Sequence, residues 1–248
     1  MSISPFKIQS ETGKSVRQFL FDDPEVVKLV GVLISIDLVF MIIHGIKFVF
    51  KDEFIALFGY WIYRNLTVTN DWAIPEIFVY LKFVVVIYLL CRVFAATRQP
   101  VYFAWAFVYM VTLLDDSLEL HEALGEYLGN LIVGLSLFGT ELQVEQGFRI
   151  RDLGELIVYA LYVAVFSTVL GVGFFWSQPL HRAIGIGFAL LLGSLAFFVV
   201  VFDLLGRLVH SFGVIATLED TGEMIVASLT VGYALIVYRR YGPKVSYP

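Results

Sequence analysis

The stretch VYFAWAFVYMVTLLDDSLELHE, residues 101–122, decides the fold and indicates where a functional site lies. Its apolar run passes into the charged segment at residues 115–122 with no turn signal between them. An ionisable group at the centre of a bilayer costs roughly 2.5 to 3.5 kcal/mol, so a chain that keeps several such groups is expected to supply partners from other helices. The sequence therefore predicts a membrane helix that carries a polar site near one membrane boundary.

Helical spacing places four acids of this segment on one face, because residues at i, i+4, i+7 and i+11 stack along a helix. Like charges at i, i+4 repel each other, so the stripe requires a cation, a basic side chain or protonated carboxyls to neutralise it. The four acids are Asp115, Glu119, Glu122 and Glu126, and Asp116 and His121 flank them.

Composition independently identifies an integral membrane protein. The 248 residues are 59% hydrophobic and 16% charged, with a mean hydropathy of +0.82, whereas soluble domains contain about 25% charged residues. The net charge of −5 excludes the basic surface of a nucleic-acid-binding protein. A single cysteine, Cys91, excludes an intrachain disulfide.

The predicted fold is an all-α, polytopic membrane helix bundle of about six transmembrane helices in one domain, residues 25–240. A polar tail (1–24) precedes this domain and a short tail (241–248) follows it. Residues 51–74 are expected to form an aromatic interfacial loop, and the apolar segment 131–139 is too short to span and is expected to be interfacial or re-entrant. The predicted spans are approximately residues 26–50, 75–96, 101–128, 152–176, 183–210 and 219–238.

The connectivity of six spans brings ionisable groups from five helices to the same side of the membrane. Lysine and arginine number ten on the side of the termini and six on the other, which places the N- and C-termini in the cytoplasm. The convergence itself does not depend on this orientation. Besides residues 115–122, the groups that converge are His44, Glu155, Asp203, Arg207, His210, Glu219, Asp220 and Glu223, and Asp37 lies in the middle of the first span.

Carboxylates and imidazoles contributed by several helices of a bundle are typical of metal centres. Such oxygen and nitrogen ligands suit zinc or iron, and also manganese, magnesium or calcium. Asp116 or Glu119 is expected to act as general base, and Asp37, His44, Arg207 and Asp220 are secondary candidates. The predicted metal ligands are Asp115, Glu119, His121, Glu122, Glu155, Asp203, His210, Glu219 and Glu223.

Two segments carry a resemblance to a known group of proteins. DDSLELHEALG, residues 115–125, resembles the Asp-Asp-x-x-x-Leu-His-Glu-x-x-Gly motif of uncharacterised multi-pass proteins of bacteria, and LEDTGEMIVAS, residues 218–228, is similar to their Glu-Asp-x-Gly-Glu helix start. The resemblance covers roughly residues 113–229 and implies a shared fold and an inner-membrane location, with no known activity. The seven-span zinc hydrolases of the ceramidase and adiponectin-receptor type are a looser comparison, and this chain lacks their His-x-x-x-His spacing.

Three functions remain open at this point. The first is a membrane metalloenzyme that acts on a lipid-like substrate, with hydrolysis slightly favoured over oxidation at a di-iron site. The second is a cation or proton transporter that uses the same acids, and the third is an accessory subunit in which the polar residues serve packing alone. Membrane lipids are the expected partners, and the oligomeric state is left open.

Overall fold

The computed structural model describes residues 23–134, 150–202, 205 and 212–243. Six of the helices in this part of the chain are long and apolar enough to cross a membrane, which confirms the all-α, multi-pass architecture. The helices are α1 (Pro24–Val49), α2 (Lys51–Asn65), α3 (Ile74–Thr97), α4 (Pro100–Leu118), α5 (Leu120–Gly134), α6 (Ile150–Phe175), α7 (Pro179–Phe197) and α8 (Phe212–Tyr241), and a short π-helix, Phe198–Phe202, continues α7. The six that could cross a membrane are α1, α3, α4, α6, α7 and α8.

Helix α8 is the central element of the bundle and packs against α1, α3 and α7. Beside it, an aromatic layer fills the half of the bundle at which α4 begins. Tyr102, Trp105 and Tyr109 of α4 are buried, as is Phe188 of α7. The Phe188 ring lies 4.7 Å from the Tyr233 ring of α8, edge to face, which is a favourable arrangement of aromatic rings. This layer leaves the polar groups to the opposite end of the bundle.

A buried ion pair ties α1, α3 and α8 together in the middle of the bundle. Lys82 Nζ donates to Asp37 Oδ1 at 2.6 Å and to the Met224 carbonyl at 3.1 Å. Ser228 Oγ donates to the other oxygen of Asp37 at 2.6 Å. Both charged side chains are almost fully buried, and such a pair is tolerated only when hydrogen bonds satisfy its remaining atoms. Asp37, a secondary candidate ligand, thus has a structural partner.

The predicted continuous helix over residues 101–128 is wrong, because the chain turns at Glu119. This residue has φ 51° and ψ 38°, in the left-handed region, and separates α4 from α5. The Asp115 carboxylate accepts the backbone N–H of His121 at 2.8 Å, and a side-chain acceptor of this kind competes with the regular helical bond. The four acids therefore do not form a single stripe along one straight helix.

The predicted loop over residues 51–74 instead contains the helix α2. Asp52 and Glu53 lie in its first turn, where acids are favoured by the helix dipole. At its other end, the buried Lys47 of α1 donates to the Tyr63 carbonyl and to Thr67 Oγ1. A lysine that neutralises the carbonyl end of α2 fixes this helix against α1.

Helices α5 and α6 pack at unusually close range through glycines. A Cβ atom placed on Gly154 would lie 1.8 Å from the Gly125 carbonyl oxygen, and one on Gly125 would lie 2.6 Å from the Glu155 side chain. Only glycine allows this approach of the two backbones. The contact holds the start of α6 against the residues that follow the turn at Glu119.

Several predictions lie at or beyond the edges of the described residues. The fifth span begins at Pro179 rather than 183, and its α-helix ends at Phe197. The sixth span is longer than predicted, since α8 covers Phe212–Tyr241. The tail 1–22, most of the segment 131–139, and Asp203, Arg207 and His210 fall outside the described residues.

Candidate functional site

A cavity of about 540 Å³ opens at the end of the bundle where α4 ends and where α3 and α8 are near their starts. One part of its wall is acidic, and the other part is apolar, with Phe83, Phe166 and Leu195 among its residues. The volume of this cavity lies in the range of small-molecule sites, and such sites combine apolar walls with polar groups that fix the ligand. The acids that line it are Asp71, Glu76, Asp115, Asp116, Glu119, Glu122, Glu219, Asp220 and Glu223.

The centre of the acidic wall is formed by Asp116 of α4 with Asp220 and Glu223 of α8, and we call these three residues the acidic centre. All three are half-buried, and they line the same cavity as Glu76 and Glu219. Among the described residues, none of the three makes an ion pair or a hydrogen bond through its carboxylate. Such a group of carboxylates is stable only when cations or protons neutralise it.

Beside the acidic centre, Asp115 holds His121 in a fixed orientation. The Asp115 carboxylate accepts from His121 Nδ1 at 3.1 Å and from the Tyr162 hydroxyl at 2.8 Å. The imidazole also stacks on the Tyr159 ring at 5.6 Å. Because Nδ1 is used by Asp115, Nε2 is left for proton transfer or ligand binding, which is the arrangement in which a carboxylate orients a functional histidine.

His121 lies outside the membrane-spanning helices, and its surroundings favour the protonated form. The hydrogen bond to Asp115 raises the pKa of His121 above its usual range, and the nearby carboxylates Glu122 and Glu155 act in the same direction. Partial burial opposes this effect. An imidazole is the side chain most often used to accept and donate a proton in catalysis.

Two of the predicted ligands, Glu122 and Glu155, are neutralised by Arg151 of α6. Arg151 Nη1 lies 3.0 Å from Glu122 Oε2, and Arg151 Nε lies 2.8 Å from Glu155 Oε1. Glu155 is buried, so this guanidinium supplies the counter-charge that its burial requires. The pair supports the α5–α6 contact and places Glu122 and Glu155 at the edge of the site.

Two acids that line the cavity, Glu76 in the first turn of α3 and Asp71 in the loop before it, were not among the predicted site residues. Glu76 accepts the backbone N–H of Trp72 and the hydroxyl of Tyr80, so it fixes the loop as well as lining the cavity. Asp71 and Glu119 are exposed at the mouth. Glu119 was a predicted site residue, whereas no motif marks Asp71 or Glu76, and only the packing of α3 against α4 places these two acids at the cavity.

At its inner end the cavity is lined by residues of the buried core of the bundle. Phe83 lines the cavity and stacks on the buried Tyr109 at 5.8 Å. Met224 lines it as well, and its carbonyl accepts from Lys82 of the buried ion pair. The aromatic layer and the ion pair therefore form the floor of the cavity.

The remaining predicted residues have other partners or other positions. His44 Nδ1 accepts the backbone N–H of Val68 at 3.2 Å, and its Nε2 contacts Thr217 Oγ1 at 3.2 Å. His44 thus joins α1, the loop and α8 rather than facing the acidic centre. Glu219 lines the cavity. In the part of the chain that the structure describes, no three Asp, Glu, His or Cys side chains converge as a ready metal-binding group.

The fold and the cavity identify an integral multi-pass membrane protein with a polar cavity at one end of its helix bundle. The chain belongs to the family described as Domain of unknown function (DUF8692), whose model matches residues 76–237. The match includes the acidic centre, Asp115, His121 and Arg151, and it begins at Glu76. Searches of curated proteins and of solved structures found no match.

Proposed function

We propose that this protein binds a hydrated divalent cation at the acidic centre and acts as a membrane hydrolase on an amphiphilic substrate. The observation that supports the proposal is the division of the cavity wall into an acidic part and an apolar part. Asp116, Asp220 and Glu223 line one part without a cationic partner among the described residues, and apolar side chains line the rest. A cation would neutralise the acids, and the apolar wall would accept the chain of a lipid-like molecule.

The arrangement of the acids favours a hydrated cation that prefers oxygen ligands, rather than zinc or iron. A zinc site uses three or four protein ligands that already converge, whereas the described residues contain no such group. Magnesium keeps several of its waters and needs only one or two carboxylates, with substrate phosphate completing the shell. We therefore favour magnesium or manganese, held through water or directly by Glu223 and Asp116.

His121 takes the role of general acid–base in this proposal. Asp115 holds its Nδ1 at 3.1 Å, so Nε2 is the atom that would accept a proton from attacking water and return it to the leaving group. When bound, the cation would polarise the substrate and orient the water. Glu119, at the exposed turn, is better placed to meet substrate at the mouth than to act at the centre.

The aromatic packing below the acids supports an enzyme over a transport path. Tyr109 packs against both Phe83 and Phe188, and these rings offer a cation no carboxylate ligand on the way through the bundle. The proposed location is a bacterial inner membrane, with the cavity at the outer leaflet. Both follow from the sequence resemblance and from the charge bias of the loops.

The test is an activity assay in vesicles with a broad lipid extract as substrate, comparing magnesium with EDTA. We expect magnesium-dependent release of a water-soluble head or of fatty acid, which Glu223→Gln abolishes. Glu126→Gln, an exposed carboxylate outside the cavity, is the matched control and keeps activity. His121→Asn is expected to lower kcat about 100-fold or more and to leave cation affinity unchanged. Equal turnover in Glu223→Gln and Glu126→Gln would disprove the proposal.

A further inference from the structure

A second, polar pocket of about 480 Å³ adjoins the mouth of the cavity, and we call it the vestibule. It shares Asn70, Asp71 and Glu119 with the main cavity, so the two spaces are continuous. Its lining residues are Tyr60, Arg64, Asn70, Asp71, Trp72 and Glu119.

The vestibule combines both signs of charge with exposed aromatic rings. Arg64 supplies a guanidinium, which matches the geometry of a phosphate group. Asp71 and Glu119 supply carboxylates, and the rings of Tyr60 and Trp72 offer faces that attract an ammonium group. Among the described residues, Arg64 makes no ion pair through its side chain, so its charge is available to a ligand.

The frame of the vestibule is held rigidly. Trp72 takes the left-handed conformation, with φ 59°, and its ring packs on Tyr80 at 5.9 Å. Asn70 Nδ2 donates to the Arg64 carbonyl at 3.2 Å, which ties the loop to the end of α2. A loop that is fixed before binding loses little entropy when a ligand arrives.

The position of α2 indicates a membrane-borne ligand. This helix follows α1 after Phe50 alone, so it lies at the level where a transmembrane helix ends. A kink at Gly59 divides this helix, and Leu57, Phe58 and Trp61 are exposed on either side of the kink, as expected of a segment in the membrane interface. We therefore expect the vestibule to lie at the depth of lipid headgroups.

We propose that the vestibule binds the zwitterionic headgroup of a phospholipid, with the phosphate at Arg64 and the ammonium between Asp71, Glu119 and the aromatic rings. This proposal rests on the proposed function, because it names the substrate class of the proposed hydrolase: a phospholipid whose headgroup carries both a phosphate and an amine. An anionic headgroup without an amine would meet the two carboxylates unfavourably.

The test is native mass spectrometry of the purified full-length protein in EDTA, with micelles that contain equal amounts of phosphatidylcholine and phosphatidylglycerol of identical acyl chains. We expect phosphatidylcholine adducts to exceed phosphatidylglycerol adducts about fivefold or more. Arg64→Gln is expected to reduce both adducts about tenfold, the effect of losing one charge-assisted hydrogen bond. Asp71→Asn is expected to bring the ratio of the two adducts towards one.

Lys51→Gln is the control variant, because Lys51 is an exposed cation on the same helix outside the vestibule. A wild-type ratio near one, or equal adduct levels in Arg64→Gln and Lys51→Gln, would overturn the proposal. Displacement of both lipids by inorganic phosphate, with no preference between them, would also overturn it, because the site would then bind a free anion. Because this measurement is made in EDTA, it requires no divalent cation and is independent of the proposed hydrolysis. A preference for phosphatidylcholine that persists in Glu223→Gln would support headgroup binding in the vestibule even if cation-dependent hydrolysis is disproved.

Discussion

Replacement of Lys82 with methionine tests whether the buried ion pair beneath the cavity holds the bundle together. The Lys82 ammonium is 3% exposed and Asp37 is fully buried, 2.6 Å apart. In the variant, the Asp37 carboxylate would keep only Ser228 as a donor. Removal of one member of a buried pair costs about 3 to 5 kcal/mol, so we expect the free energy of unfolding to fall by that amount.

The double variant Asp37→Leu with Lys82→Met separates the ion pair from the packing around it. Loss of both charges frees the Met224 carbonyl, and Ser228 lies four residues further along the same helix. Its hydroxyl can therefore donate back to that carbonyl, and no buried polar group is left alone. We expect the double variant to recover most of the stability lost in Lys82→Met, because apolar replacements of buried ion pairs are often neutral.

The assay is denaturant unfolding in mild detergent, followed by helical circular dichroism for the wild type, both single variants and the double variant. The coupling energy of the cycle is the quantity of interest. A loss below about 1 kcal/mol in Lys82→Met would refute the reasoning from burial. A double variant as unstable as the sum of the single variants would refute the pairing itself.

Two further predictions concern the contact between α5 and α6 and the pair of Asp115 and His121 beside the acidic centre. Gly154→Ala places a Cβ atom 1.8 Å from the Gly125 carbonyl oxygen and is expected to destabilise the protein by about 1 to 3 kcal/mol. Gly171→Ala is the control, because Gly171 lies on the same helix with open space around it, and it should be neutral or stabilising. Equal melting temperatures for the two variants would contradict the close packing of α5 and α6. Because Asp115 raises the pKa of His121, the stabilisation from their bond is complete below the unfolded value of about 6.5 and is lost as pH rises through the folded pKa. The difference in unfolding free energy between the wild type and Asp115→Asn should therefore shrink with rising pH, and a difference that grows would contradict the assignment.

The overall fold was predictable from hydropathy, because six apolar segments longer than 18 residues leave few alternatives for a chain of this composition. The turn at Glu119 was not predictable in the same way. Neither glycine nor proline marks it, and it depends on the hydrogen bond from His121 N–H to Asp115. Helix α2 was missed because its exposed aromatic residues also fit an interfacial loop.

The candidate site was predictable in location but not in its internal pairing. Connectivity alone placed the acids of α4 and α8 at one end, and the structure brings Asp116, Asp220 and Glu223 to one cavity. The role of Arg151, which neutralises two predicted ligands, depends on the glycine-mediated approach of α5 and α6. Spacing along the sequence carries no information about which carboxylates receive a counter-charge.

Manganese binding followed by electron paramagnetic resonance tests the central claim most directly, since this ion substitutes for magnesium and its spectrum reports bound water. We expect one hydrated manganese ion per chain in the wild type and in Glu126→Gln. The affinity should fall about tenfold or more in Glu223→Gln, because a charged ligand is lost. Equal binding in all three proteins, or no binding in any of them, would contradict the account.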